Sequence, residues 1–288
     1  MLKIISSAGA PVTRFAPSPT GRLHIGHVYS ALFSAAAATD DGRFLLRIED
    51  IDRGRCRPEF DAAILEDLGW LGLRWETPVR RQSAHMSDYR RALDVLDHAG
   101  LLYPCFCTRK DLRAQAAGAT LAPHGPDGPL YRGICRALPS SVRAQRIASG
   151  SPYALRLDMK AAAARAGSLR FLDRERGEIA VDPAGCGDVV LARKDVATSY
   201  HLAVTLDDAA QEVTLVTRGE DLLHATHIHR ILQALLDLPE PEYWHHRLLR
   251  DAHGRRYAKR DRDRTIRDLR QSGLSPSAVR ELAGFAPA

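Results

Sequence analysis

Two histidines three residues apart, in His24-Ile25-Gly26-His27, carry the first chemical signal of this 288-residue chain. They follow Arg14-Phe15-Ala16-Pro17-Ser18-Pro19-Thr20-Gly21, where two prolines and a glycine turn the backbone. A strand that ends in such a turn and feeds a helix presents unpaired N–H groups and a partial positive charge, which suit a phosphate. Gly26 lets a purine or a ribose approach the backbone closely. Cysteines make a second constellation. Cys105-x-Cys107 and the later Cys135 supply three soft ligands for tetrahedral Zn²⁺. His124 is the first chemical choice for a fourth ligand. No open coordination position is required, so a zinc here is structural. His224, His227 and His229 fall on a helical stretch and read as packing and capping, not as a second metal site.

These residues need a frame to hold them. A strand is predicted over Val12 to Phe15, and a helix from Gly26 to about Thr39. A strand follows over Arg43 to Ile48 and ends at Glu49-Asp50-Ile51-Asp52. Pro58 to Leu68, with proline in its first turn, and Ser87 to Ala99 read as amphipathic helices. This alternation predicts an α/β fold with a parallel, doubly wound sheet. Residues 1–100 form its first half. Residues 101–190 read as an insertion with the zinc site, residues 101 to about 150 holding a Gly/Pro-rich stretch and three of the five cysteines. From Tyr153 to Ala192 short strands alternate with turns. The second half, residues 191–240, shows strand-like runs over Ser199 to Asp207 and Glu212 to Arg218, then a helix over Leu222 to Leu236. Residues 241–288 are basic and end in a short helix, Ser275 to Ala283.

Composition sets outer limits. Apolar residues are 45% and charged residues 26%, which excludes a disordered or fibrous chain. Lys and Arg number 41 against 35 Asp and Glu, a net +6, which permits a nucleic acid partner without establishing one. No apolar run is long enough for a bilayer, and the N-terminus lacks a secretory apolar region. A cytoplasmic monomer with no membrane partner is expected. Five clustered cysteines argue against a disulfide framework.

The sequence resembles the class I aminoacyl-tRNA synthetases, and within them the glutamyl branch. His24 to His27 matches the first signature of the class. Arg14 to Gly21 and Arg47-Ile48-Glu49-Asp50-Ile51-Asp52-Arg53 match the branch, and the resemblance runs from about residue 12 to about 265. It implies a Rossmann-type catalytic domain split by an insertion. It also implies a glutamate site, for which Arg14 is a good carboxylate fork and Glu49 a good ammonium partner. The residues that match the site are Arg14, Ser18, Glu49, Tyr200 and Arg218. His24, Gly26 and His27 match the ATP-binding positions, and the two histidines stabilise the phosphates during reaction. The second class signature, Lys-x-Ser-Lys-x, falls on Arg256-Tyr257-Ala258-Lys259-Arg260. Arg replaces the first Lys and Ala the Ser, so Lys259 is the retained cation for the ATP phosphates. ATP brings Mg²⁺ in that family. The family zinc pattern Tyr-x-x-x-Cys matches Tyr131 to Cys135 and favours Tyr131 over His124 as fourth ligand.

Full glutamyl synthetases continue into a helical anticodon-binding domain, and none is expected after the Lys259 segment here. The resemblance therefore narrows to the truncated glutamyl-queuosine tRNA(Asp) synthetases. It implies tRNA-independent activation of L-glutamate with ATP. The glutamate then passes to the queuosine base in the anticodon loop of tRNA(Asp). The alternatives are a ligase that charges a tRNA 3′ end and a non-catalytic RNA-binding paralogue.

Overall fold

The computed structural model describes residues 9–108, 110–112, 124–125, 128–131, 133–249 and 264–285. The N-terminal half begins with β1 (Val12–Phe15), α1 (Ile25–Ala38), β2 (Arg43–Ile48), α2 (Pro58–Trp70), β3 (Glu76–Arg81) and α3 (Met86–His98). The strands pair parallel in the order β1-β2-β3. Parallel neighbours need a crossover, and α1 and α2 supply them. Helix α1 buries Val28, Ala31 and Leu32 almost completely. Its alanines let it lie close to the sheet.

The chain then leaves the sheet. It forms β4 (Leu102–Cys105), a short hairpin of β5 (His124–Gly125) and β6 (Gly128–Pro129), α4 (Ser140–Ala148), β7 (Ala154–Leu157) and α5 (Met159–Ala166). It returns through β8 (Arg170–Asp173), β9 (Gly177–Ala180) and β10 (Val190–Ala192). The second half holds α6 (Tyr200–Ala210), β11 (Leu215–Gly219), α7 (Leu223–Leu235) and β12 (Glu242–His246). Helices α8 (Ile266–Gln271) and α9 (Pro276–Leu282) end the described chain. Strands β10-β7-β4 form an antiparallel sheet that carries Cys105 at one end, with Cys107 two residues beyond it. Strands β11, β12 and β8 pair parallel, with β9 antiparallel at the edge. The two parallel halves meet where Thr214 donates its N–H to the Val12 carbonyl at 3.0 Å and Val12 donates to Thr214 Oγ1 at 2.9 Å.

Three expectations are corrected. The run Ser199 to Asp207 is a helix, not a strand. Ser199 caps it by accepting the Leu202 N–H, and Leu202, Ala203, Val204, Thr205, Asp207 and Asp208 are all buried. A helix buried on most sides has no polar stripe, so its apolar run imitates a strand. Likewise α5 lies where only strands and turns were expected. Residues 170–180, placed by the sequence within the insertion, return to the second half-sheet through the pairing of Tyr243 with Asp173. No helix among the described residues is long and apolar enough to cross a membrane.

Candidate active site

His24 is the N-cap of α1 and has extended backbone geometry. Its Nδ1 accepts the Gly26 N–H at 3.1 Å, and His27 Nδ1 accepts the His24 N–H at 3.1 Å. The two rings sit 3.8 Å apart, centroid to centroid. A backbone N–H can only donate, so both Nδ1 atoms are unprotonated. Each neutral ring therefore carries its proton on Nε2. The reciprocal cap thus places two imidazole Nε2–H groups at a helix N-terminus. Lys259, Arg256 and Ala258 lie outside the described residues. The described chain on both sides of them runs along α1. His246 Nε2 is 3.1 Å from Ser30 Oγ, and Thr265 forms a β-bridge with His24.

The loop after β1 is stitched to the end of β2. Glu49 donates its N–H to the Pro17 carbonyl and Arg57 donates to the Pro19 carbonyl, each at 3.0 Å. Half-buried Ser18 is held between these two points. Behind the loop lies a buried charge cluster. Arg14 donates from Nε to Asp208 Oδ1 at 2.9 Å, from Nη2 to Asp208 Oδ2 at 3.3 Å, and from Nη1 to the Thr217 carbonyl at 2.9 Å. Arg47 Nη1 reaches Asp208 Oδ1 at 2.8 Å, while its Nη2 stands 3.4 Å from Glu49 Oε1. Asp207 accepts from Arg80, Gln82 and Tyr89. The partners share this charge unequally. Burial would drive a proton off Arg47, but Asp208, Glu49 and Asp207 together hold it on. Burial pushes Glu49 up to about 7 in spite of Arg47 and Arg14, because Asp208 and Asp207 already claim those guanidinium groups. Glu49 is therefore a buried carboxyl short of a cation.

Arg218 presents the opposite imbalance. It leaves the end of β11 and is 5% exposed. Its Nε donates to His245 Nε2 at 3.2 Å, and its Nη1 to His229 Nδ1 at 3.1 Å and the Tyr200 hydroxyl at 3.4 Å. Its Nη2 donates to Thr226 Oγ1. Every one of these acceptors is neutral. Among the described residues no carboxylate forms an ion pair with Arg218. Tyr200 stands between the two imbalances and feels both the Arg218 and the Glu49 charge. The pocket therefore offers an uncompensated cation and an undercompensated anion.

The three thiols Cys105, Cys107 and Cys135 have their sulfurs within 4.8 Å of one another. The Tyr131 hydroxyl lies 3.5 Å from Cys105 Sγ and 3.6 Å from Cys107 Sγ, and it accepts the Cys135 N–H at 2.9 Å. The Arg156 guanidinium lies over the Tyr131 ring at 3.9 Å. Burial opposes ionisation of Cys105, but hydrogen bonds from Tyr131 and Arg156 bring it below the usual thiol range. Burial and the neighbouring thiols push Cys107 up to about 11. Three thiols in mutual contact can lose their protons together to a shared cation, and three sulfurs with one oxygen make a four-donor set that fits a metal ion. The side chain of His124 lies outside the described residues.

Sequence reasoning overlooked several groups in this pocket. Arg47 sits two residues before Glu49 on one strand face, a spacing visible in the sequence. Asp207 and Asp208 carry a weaker signal, two adjacent acids in an apolar run. His229 lies on a helical stretch whose pattern suggests packing, yet it touches Arg218. His245 and Asp173 come together only through the β12–β8 pairing, which no local pattern announces.

A parallel sheet, an interrupting Cys-bearing module and a histidine-capped helix beside a buried charge pocket define a class I aminoacyl-tRNA synthetase catalytic domain. The family described as tRNA synthetases class I (E and Q), catalytic domain, matches residues 11–284, and the chain belongs to it. It is a ligase of the aminoacyl-tRNA synthetase type. A glutamyl-Q tRNA(Asp) synthetase of Rhodobacter capsulatus is 50% identical over 281 residues, covering 95% of this chain and 100% of the relative. One from Nocardia farcinica is 43% identical, covering 92% of this chain and 81% of the relative. A solved glutamate-tRNA synthetase from Elizabethkingia anophelis superposes with a TM-score of 0.80 at 27% identity, covering 96% of this chain and 61% of that one.

Proposed function

We propose that the chain activates L-glutamate with ATP and transfers it to the queuosine base of tRNA(Asp). The observation that carries the amino acid choice is Arg218, a buried guanidinium with only neutral acceptors around it. Glutamate supplies what the pocket lacks. Its side-chain carboxylate compensates Arg218, and its ammonium supplies the cation that Glu49 is short of. Tyr200 already accepts from Arg218, so its own proton is left for the substrate carboxylate. Arg14 uses three of its N–H groups on Asp208 and Thr217, so of the five a guanidinium carries it has two to offer. Ser18 lines the loop beside Glu49. The choice of queuosine tRNA(Asp) as acceptor rests on the likeness to relatives so named.

The glutamate α-carboxylate attacks the α-phosphorus of ATP, and pyrophosphate leaves. The nucleophile is already ionised, so the protein needs no general base and works by position and charge. His24 and His27 donate Nε2–H to phosphate oxygens at the N-terminus of α1, where Gly26 keeps the backbone open. Lys259, with Arg256, neutralises the leaving pyrophosphate, and Mg²⁺ arrives with ATP as part of that substrate. A hydroxyl of the queuosine cyclopentenediol then attacks the mixed anhydride. An ester forms and AMP departs. Cys105, Cys107, Tyr131 and Cys135 would hold Zn²⁺, which would tie β4 to the segment around Tyr131 and serve a structural role.

Labelled glutamate offered with queuosine-containing and queuosine-free tRNA(Asp) tests this directly. Labelling of the queuosine form alone, recovered after nuclease digestion on the anticodon fragment and not on the 3′-terminal adenosine, is the expected result. Equal labelling of both, or labelling of tRNA(Glu), identifies a 3′-end ligase instead. No labelling and no glutamate-dependent ATP–pyrophosphate exchange identifies a non-catalytic paralogue.

A further inference from the structure

The groups behind Arg218 are arranged with an order that the reaction above does not explain. Asp173 and His245 are both fully buried. Asp173 Oδ2 lies 2.6 Å from His245 Nδ1 and also accepts the His245 backbone N–H at 3.2 Å. Asp173 Oδ1 accepts the N–H groups of Glu175 and Arg176. Four contacts fix this carboxylate as an acceptor, so the proton of His245 must sit on Nδ1. Its Nε2 is then a lone pair aimed at Arg218 Nε, 3.2 Å away. A second proton on Nε2 would oppose that N–H donor to donor.

A second arm approaches from α7. His229 Nδ1 faces Arg218 Nη1 at 3.1 Å and is therefore an acceptor. The proton of His229 must lie on Nε2, which is 3.2 Å from His201 Nδ1. His201 Nδ1 is thereby fixed as an acceptor too. The two imidazoles that hold Arg218 thus carry their protons on different nitrogens, one on Nδ1 and one on Nε2. In both arms the nitrogen that meets Arg218 is a lone pair. Burial and the Arg218 charge both hold His245 and His229 below the ordinary imidazole range.

We propose that Asp173, His245, His229 and His201 are positioning residues that hold Arg218 through neutral acceptors alone, and that this neutral cage makes the pocket select an amino acid with an anionic side chain. The inference rests on the reading of Arg218 as the side-chain receptor. A carboxylate in direct contact would orient the guanidinium equally well, but it would neutralise the cation and leave no demand for a substrate anion. Here the carboxylate of Asp173 stands one imidazole ring away. It supplies orientation through His245 while the positive charge of Arg218 stays unspent. A neutral amide side chain, as in glutamine, can accept hydrogen bonds from Arg218 but cannot compensate its charge, and is rejected on that ground.

The test compares His245→Leu, His245→Gln and Arg218→Gln in glutamate-dependent ATP–pyrophosphate exchange, alongside the tautomers of the unsubstituted enzyme. His245→Leu removes the acceptor for Nε, and the KM for glutamate should rise about tenfold or more. The KM for ATP should not change. His245→Gln restores an acceptor and should recover most of that loss. Equal losses in both variants, or a loss shared with the KM for ATP, would show a merely structural role. Arg218→Gln tests the underlying reading. If it leaves the KM for glutamate unchanged, that reading falls. If it abolishes glutamate use while His245→Leu does nothing, only the cage falls. Two-dimensional ¹⁵N–¹H correlation at neutral pH keeps the inference open to refutation should a variant fail to fold. It should show His245 protonated on Nδ1 and His229 on Nε2. The opposite tautomer at either ring, or an imidazolium, overturns the cage.

Discussion

Replacing Glu49 by Gln should make the protein more stable and less active at once. The carboxyl is 9% exposed, and burial lifts it from an ordinary 4.5 to about 7 against the pull of Arg47 and Arg14. A folded-state pKa above the unfolded value means that the fold holds a proton the unfolded chain releases. Between pH 4.5 and 7 the folded state binds the extra proton, so stability falls as pH rises, and above pH 7 the full penalty is present. A rise from 4.5 to about 7 corresponds to roughly 3 kcal/mol as an upper figure. Glutamine keeps an acceptor for Arg47 and removes the charge. In urea unfolding at pH 8, Glu49→Gln should therefore gain up to about 3 kcal/mol, which corresponds to a rise of about 5 °C in Tm for a chain of this size. At pH 4.5 and below the two proteins should converge, since the wild-type carboxyl is then neutral as well. In the proposed reading the same substitution also removes the partner of the substrate ammonium. The KM for glutamate in ATP–pyrophosphate exchange should rise by about 30-fold or more. A variant that is no more stable at pH 8, or equally stabilised at every pH, would show that Glu49 is fully compensated in the fold. The argument for an anion awaiting an ammonium would then fail.

Arg47→Ala should act in the other direction. It strips the shared cation from Glu49, Asp207 and Asp208, and a loss of about 3–5 kcal/mol in urea unfolding is expected. A loss below about 1 kcal/mol would mean that Arg14 and Arg80 suffice to neutralise the cluster. Metal analysis should find one zinc per chain, removed by a strong chelator or by Cys107→Ala, with a lowered Tm in both cases. Tyr131→Phe should bind the metal more weakly than wild type but retain it better than Cys107→Ala. If Tyr131→Phe competes for zinc as well as wild type does, the phenol oxygen is not a ligand.

What could be read from the sequence divides along a physical line. Strands β1 and β2 were legible because each is a short apolar run bounded by turn residues. The histidine pair and the cysteine spacing were legible because their chemistry is local. Helix α6 was not, since burial on several sides erased the period that marks a helix. The β12–β8 contact was not either, because it joins residues 70 positions apart through sheet pairing alone (Tyr243 with Asp173). His245 and Asp173 were lost with it. Asp208 was missed for a related reason. An acid in an apolar run reads as solvent-facing until the two arginines that neutralise it, from β1 and β2, are known to converge there.

Sequence also gave no means of ranking Arg14 against Arg218 as carboxylate receptors, and the distinction is electrostatic. Both are buried arginines at the carboxyl ends of central strands. Arg14 lies in a fork with Asp208, so a substrate carboxylate arriving there meets a cation whose charge is already shared with an anion. Arg218 meets only imidazole, hydroxyl and phenol groups. Equal geometry with unequal compensation gives the two residues different work. Arg14, with Arg47, keeps Asp208 ionised, and in the proposed reading it offers its remaining N–H groups to the substrate. Arg218, unlike Arg14, carries a charge that no carboxylate among the described residues cancels, and a buried charge of that kind at a cluster of polar groups marks where an anionic ligand would complete it.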